Sequence, residues 1–382
     1  MHKIIFSIII LMIFSCTNSE VNKSSNLDKS KNWTITNFVK ADSINPILQP
    51  STELSFQCPL NQIEIKWEER NVFNPSAIVK DDKVYLLYRA QDKTGTSRIG
   101  MAISSDGLNF KKEAHPVFYP DNDEMTQYEW HHKKQSFRKY FGNCENCFDG
   151  VEDPRIIEDE NGRYIMTYTS YDGKTARLCL ASSKNLTKWT KHGLVLKDDK
   201  FKNLWSKAGA IVVEVIEGKN IAKKIDGKYW MYFGDTNIFL AKSDDLIHWE
   251  ACTNNESQKI ISVLHPRMGH FDSRLVEPGP YAIYKDEGIL LIYNASNAAN
   301  FNDPNLPKYT YAAGQALFDK DKPYKLLDRT NGYFIYPDKE YEKVGEVNEV
   351  CFVEGLVNFK DKWFLYYGTA DSKIAVAVSE HN

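Results

Sequence analysis

What most restricts the fold of this 382-residue chain is a pair of strand patterns that returns along its length. The clearest member is an apolar run closing in Ala-x-Ser, then Asp or Asn, then an aromatic. It reads Met101-Ala102-Ile103-Ser104-Ser105-Asp106-Gly107-Leu108-Asn109-Phe110. It returns as Leu180-Ala181-Ser182-Ser183-Lys184-Asn185-Leu186-Thr187-Lys188-Trp189 and as Leu240-Ala241-Lys242-Ser243-Asp244-Asp245-Leu246-Ile247-His248-Trp249. Looser copies are Gln315-Ala316-Leu317-Phe318-Asp319 and Val376-Ala377-Val378-Ser379. An aromatic strand precedes each copy, ending at Tyr88, Tyr168, Phe233, Tyr293 and Tyr367 in turn. Such self-similarity marks a repeat architecture, and short strands punctuated by Gly, Asn and Asp turns predict sheet. Five strand pairs predict radial blades of antiparallel sheet, for which a closed propeller is a known solution. The expected fold is all-β, a five-bladed β-propeller; a β-sandwich would leave the repeat unexplained.

That fold determines where chemistry can sit. Inner strands converge on an axial channel, so polar residues at their ends meet in one pocket although far apart in sequence. The densest such stretch is Gly150-Val151-Glu152-Asp153-Pro154-Arg155, entering the apolar run Ile156-Ile157-Glu158. Proline biases the preceding residue toward extended backbone, so Asp153 is expected to be extended. A carboxylate held stiffly at a strand entrance suits general acid/base work, and a surface turn with an Asp–Arg pair is the plainer reading.

The N-terminus reads as an address. Lys3 precedes an apolar run, Ile4 to Phe14, too short to span a bilayer well, and Ser15-Cys16 follows. A small residue before Cys in this place resembles a bacterial lipoprotein signal, with Cys16 lipidated. Expected boundaries are 1–16 for the signal, 17–45 for a tether and N-terminal extension, and 46–382 for the propeller. The mature protein is expected to be exported, on the periplasmic or cell-surface side, touching the membrane only through its lipid. Net charge is −3 with no basic stripe, which argues against a nucleic-acid partner. Cys144 and Cys147 predict a small disulfide loop; a metal site with His131 and His132 lacks a second Cys-x-x-Cys. Cys179 and Cys351 lie in apolar runs and are expected to be buried thiols. No cofactor is called for.

Blade by blade, candidate pocket residues flank the aromatic strands: Asn74, Arg89, Asp92 and Arg98; Glu152 and Asp153; Lys207 and Asp235; Glu277 and Tyr293; Glu354 and Asp371. The motifs Asn74-Pro75, Tyr88-Arg89-Ala90, Val151-Glu152-Asp153-Pro154-Arg155, Gly279-Pro280-Tyr281 and Tyr366-Tyr367-Gly368-Thr369-Ala370-Asp371, in this order, resemble glycoside hydrolase family 130. The resemblance implies a five-bladed propeller acting on β-mannosides, by phosphorolysis or hydrolysis. It implies that Asp153 is the general acid, directly or through a substrate hydroxyl, and that Asn74, Arg89, Arg98 and Asp371 hold the sugar. Paired sugar hydroxyls suit bidentate grips by Arg and carboxylate.

The departures from that pattern point to hydrolysis. Phosphorolytic relatives tend to show Arg-Asn before a Gly, a Lys before the Gly-Pro-Tyr run and a His after the fourth-blade Tyr. Here those places hold Lys207-Ala208, Leu275 and Asn294, and Gly234 stands where another Arg is often found. Glu277 puts a carboxylate where phosphate would bind. The expected activity is inverting, exo-acting release of mannose from β-1,2-linked mannosides, with Asp153 as acid and Glu277 as base on water. Inverting pairs stand about 6.5–9.5 Å apart. Asp235 and Glu354 are rival bases, and Glu277 could instead be a rim carboxylate. Lys207 could be a structural ion pair, Asp371 a turn cap and Tyr293 a packing residue. A phosphorolytic enzyme making mannose 1-phosphate, a furanoside-cleaving propeller and a non-catalytic glycan-binding lipoprotein are the alternatives. The insertion from His131 to Cys147 (Lys133, Lys134, Phe137, Arg138, Lys139, Tyr140) is expected to shape the leaving-sugar side.

Overall fold

The computed structural model describes residues 31–131 and 148–380. Cys16 with the rest of the address, and the insertion residues 132–147 with Cys144 and Cys147, lie outside the described residues. The described chain is 48% strand and 2% helix, which rules out a helical architecture, and it is propeller-like.

The long strands associate in antiparallel threes. β1 (Asn71–Lys80), β2 (Lys83–Gln91) and β3 (Thr96–Ser104) pair in that order. β4 (Asp149–Glu158), β5 (Tyr164–Tyr171) and β6 (Ala176–Ser183) follow the same order, as do β7 (Ala210–Ile216), β8 (Lys228–Phe233) and β9 (Ile238–Ser243). Next come β10 (Leu275–Pro278), β11 (Gly288–Ser296) and β12 (Tyr311–Phe318). β13 (Cys351–Phe359), β14 (Lys362–Thr369) and β15 (Lys373–Glu380) complete the series. Outer strands Lys111–Lys112, Trp189–Leu194, Trp249–Ala251 and Leu326–Arg329 join β3, β6, β9 and β12.

The last set takes its outer strand from the opposite end of the chain. Val39–Lys40 pairs with β15, Val39 opposite Val378. The stretch read as tether and extension is therefore packed from Trp33 onward, with Trp33 and Ile35 buried. Cys179 and Cys351 are buried free thiols.

The repeat is a turn device. Ser104, Ser183 and Ser243 each accept, on Oγ, backbone N–H groups two and three residues on. Asp106, Asn185 and Asp245 do the same one step later. These side chains substitute for the missing ladder bonds at the strand end. The pivot is Gly107, Leu186 or Leu246 at φ +76°, +68° and +68°. Trp189 and Trp249 then close the turn by donating their indole N–H to the carbonyls of Leu186 and Leu246.

A second recurring device uses a tyrosine within the middle strand of four of the sets. Tyr88, Tyr168, Tyr293 and Tyr367 donate their hydroxyls to Glu68, Glu129, Asp272 and Glu342 at 2.9–3.0 Å. Each of those buried carboxylates also meets a cation: Lys112, Lys191, Arg329 and Lys40 at 2.6, 2.5, 2.6 and 2.7 Å. The third set has Phe233 at this place and no such triad. A buried carboxylate is tolerated only when paired and hydrogen-bonded, and here both conditions hold.

Tyr293, expected to touch substrate, is thus one of four equivalent framework tyrosines. Its hydroxyl donates to Asp272 and accepts from Arg329, and its side chain is fully buried. Tyr293→Phe is expected to leave KM unchanged and to destabilise the fold by about 1–3 kcal/mol, the cost of orphaning buried polar partners. Denaturant unfolding beside steady-state kinetics checks this.

Candidate active site

Three long strands break register at matching places. β1 slips between Phe73 and Pro75, β4 between Glu152 and Arg155, and β13 between Val353 and Gly355. Asn74, Asp153 with Pro154, and Glu354 are the residues passed over. Asn74 and Asp153 stand at φ +49° and +51°, in the left-handed region. The expectation of an extended Asp153 is therefore overturned. Proline cannot donate to a ladder and is tolerated inside a sheet at a bulge; the bulge, rather than the proline's local preference, sets the conformation and re-aims the side chain. Gly150 lets β4 approach β3: at φ +113°, its Cβ position would lie 2.2 Å from the Ser97 carbonyl oxygen.

The bulges bring the predicted residues together. Asn74 Nδ2 donates to Asp153 Oδ1 at 2.9 Å. The Arg89 guanidinium reaches the same oxygen at 3.2 Å and Glu152 Oε1 at 2.6 Å. Its Nε donates to Ser97 Oγ at 3.0 Å, and the group lies 4.6 Å over the Phe73 ring. Lys207 Nζ stands 3.8 Å from both Glu152 and Asp153. Arg155 is consumed by the framework: it donates to the carbonyls of Gly279, Pro278 and Asp153 at 2.9–3.0 Å and pairs with Glu354 at 3.0 Å. Neither oxygen of Glu354, and not Asn74 Oδ1, has a hydrogen bond among the described residues. Arg89, Glu152, Lys207 and Asp371 line a cavity of about 370 Å³ with Phe148 and Trp205.

Electrostatics divide the carboxylates. Burial alone would raise Asp153, but Arg89, Lys207 and Arg155, with the Asn74 hydrogen bond, lower it to about 2. Burial raises Glu152. Glu277, only 6% exposed, is raised by burial to about 8; Lys207 and Arg155 pull it back, while Asp235 and Asp153 add to the rise. Asp371 is raised by burial to about 6, and burial raises Glu354 well above the usual range. Burial thus raises the proton affinity of Glu277 and Glu354, while the surrounding cations keep Asp153 ionised.

Two other assignments change. Arg98 is 1% exposed and bound to Asp92 Oδ2 at 2.8 Å, to the Thr96 carbonyl and to Cys58 Sγ. Asp92 in turn accepts the backbone N–H groups of Thr94 and Thr96. The pair braces the β2–β3 turn, so neither residue contacts a sugar in this arrangement. Asp235 is half-buried and accepts the indole N–H of Trp205. Sequence reading missed Tyr171 and Glu346 in the cavity wall. Glu346 lies between named elements, is held by Arg70 at 2.8 Å, and carries no periodic signal. Tyr171 ends β5, three residues beyond the framework Tyr168, a spacing that could have flagged it.

Comparison with known proteins agrees with this geometry. A family model described as beta-1,4-mannooligosaccharide phosphorylase, of glycoside hydrolase family 130, matches residues 40–382. A 1,2-beta-oligomannan phosphorylase from a Thermoanaerobacter species is 30% identical over 353 residues, covering 90% of this chain and 97% of its own. A solved glycosyl hydrolase from Bacteroides ovatus is 42% identical with TM-score 0.85, over 94% of this chain and 97% of that one. Another solved structure is 43% identical with TM-score 0.84, over 92% of this chain and 95% of that one. It accompanies the statement that the GH130 family of mannoside phosphorylases contains glycoside hydrolases that target beta-1,2 mannosidic linkages in Candida mannan.

Proposed function

Because the chain belongs to glycoside hydrolase family 130, and the 1,2-beta-oligomannan phosphorylase and the 43%-identical solved structure are both named for β-1,2 linkages, we propose that it is an inverting, exo-acting hydrolase releasing mannose from such linkages. The blade sets read as a five-bladed propeller. The observation carrying hydrolysis is the crowd of carboxylates around Lys207: Glu152 and Asp153 at 3.8 Å, with Glu277 close enough to raise its proton affinity. An orthophosphate dianion there would face the ionised Asp153, and Arg155 is already spent on carbonyls and Glu354. Gly234, at φ +125° with its Cβ position 2.1 Å from the Asn237 carbonyl oxygen, offers no room for a cationic side chain.

In the proposed step, water attacks C1 from the face opposite the glycosidic oxygen. Glu277 takes the water proton, the C1–O bond breaks, and Asp153 supplies the proton to the leaving oxygen, directly or through a sugar hydroxyl. Asn74, Arg89 and Asp371 hold the terminal sugar. The first product is α-mannose.

This scheme needs one proton across Asp153 and Glu277. In the free enzyme that count holds between about pH 2 and about pH 8; the scheme requires substrate binding to shift the proton toward Asp153. The alkaline limb of kcat/KM, which reports the free enzyme, is therefore expected near pH 8, where Glu277 loses its proton. The pH dependence of kcat/KM on β-1,2-mannobiose checks it.

The deciding experiment incubates the protein with β-1,2-mannobiose with and without phosphate. Free mannose formed without phosphate, α-configured by NMR at early times, supports hydrolysis. A phosphate requirement with mannose 1-phosphate as product overturns it, and would match the phosphorylase activity named for the curated relatives. The lipid anchor on Cys16 rests on the Ile4–Phe14 run before Ser15-Cys16; membrane association that persists in Cys16→Ala would sink it.

A further inference from the structure

Trp205 is a large apolar side chain left 47% exposed, and it lines the cavity walled by Arg89, Glu152, Lys207 and Asp371. It is nevertheless clamped. Its indole N–H donates to Asp235 Oδ2, and the Tyr171 ring meets it edge-on at 6.2 Å and 68°. The next residue, Ser206, is buried; its backbone N–H donates to the Ala176 carbonyl at 3.1 Å and its Oγ accepts from Leu178 N–H at 3.0 Å. One further residue on, Lys207 reaches Glu152 and the proposed acid Asp153. An aromatic ring held at its polar end offers a ligand a preformed apolar face, and rigidity set before binding lowers the entropy lost on association.

Depth says which sugar it meets. Asn74, Asp153 and Glu277 are buried, whereas Trp205 stands at the mouth. In an exo-acting pocket the terminal sugar goes deep and the remainder points outward. We infer that Trp205 is the platform for the leaving sugar, and that Asp235, through its bond to the indole, is a positioning residue that holds the platform rather than a base. The apolar C–H face of a pyranose lies against the indole face, in the geometry that a polar-tipped aromatic favours. The inference deepens the mannoside reading and rests on it: preference for a second sugar is set by a residue of the third strand set.

The test is equilibrium binding by calorimetry, in a Glu277→Gln background where turnover is suppressed, of mannose and of β-1,2-mannobiose. Trp205→Ala is expected to weaken mannobiose about tenfold, the scale of one aromatic contact, and to leave mannose within about twofold. Asp235→Ala should reproduce that pattern. Asp235→Asn should rescue it, because an amide oxygen still accepts the indole N–H. In the otherwise native protein, Trp205→Ala should raise KM with kcat nearly unchanged. Equal loss on both sugars, no loss on mannobiose, or Asp235→Asn as damaging as Asp235→Ala would overturn the inference. The binding comparison does not depend on whether water or phosphate attacks, so a phosphorolytic outcome leaves it standing. Failure of the parent variant to bind either sugar would remove the mannoside reading itself, and the platform with it.

Discussion

Replacing Glu277 by Gln is expected to lower kcat on β-1,2-mannobiose by roughly 10²–10⁴-fold, the range usual for a general acid or base, in a protein that remains fully folded. The amide keeps the size of the side chain. It also removes a buried carboxyl whose proton affinity burial has already raised to about 8. Ionising that group inside the site costs free energy that an amide never spends, so thermal stability should stay level or rise. Losing activity while keeping stability is the signature of a group present for chemistry. If Glu277 were only a rim carboxylate gripping a hydroxyl, KM would carry the change and kcat would move little. Steady-state kinetics with a thermal melt of the same preparation separates the two.

Asp153→Asn is expected to produce a loss of similar size, roughly 10²–10⁴-fold, and one that depends on the leaving group. An aryl mannoside with an acidic phenol departs with little protonation, so its loss should be at least about tenfold smaller than that of mannobiose. The argument comes from the carboxylate's setting. Asp153 is held ionised by Arg89, Lys207 and Arg155 despite burial, so it acts as an acid only after substrate has changed those surroundings. Equal losses on both substrates would mean that Asp153 merely holds the sugar. Arg89 keeps its 2.6 Å contact to Glu152 in the variant, so the guanidinium is not left without a partner.

The repeat and the acidic motif were legible because their signals are local. Ser104, Ser183 and Ser243 mark turns through bonds to residues two and three positions on, so spacing alone reveals them. The bulges were half legible. A proline within an apolar strand run, as at Asn74-Pro75 and Asp153-Pro154, marks a place where the ladder must break, yet the proline was read only for its effect on its neighbour. Spacing alone could not assign Tyr293 or the Asp92–Arg98 pair, because burial decides their role. Tyr293 looks like any polar residue at a strand end until Asp272 and Arg329 close around it. The triad carboxylates Glu68, Glu129, Asp272 and Glu342 precede their tyrosines by 20, 39, 21 and 25 residues. With no fixed offset, no periodic pattern exposes them. Trp205 lies two residues before the flagged Lys207, but its clamp to Asp235 depends on two loops meeting in space.

The strand Val39–Lys40 laid beside β15 has a consequence for how the molecule can be cut and made. Strands far apart in sequence hold one seam, and Lys40 also pairs with Glu342, the acceptor of the Tyr367 hydroxyl. Trimming either terminus past that ladder removes the same zipper, so N-terminal and C-terminal deletions should fail alike. During synthesis Val39–Lys40 must wait for Lys373–Glu380, since a contact this distant in sequence closes only after a long loop is ordered. A permuted chain that joins the old ends and opens between two other sheets would turn that late clasp into an early hairpin.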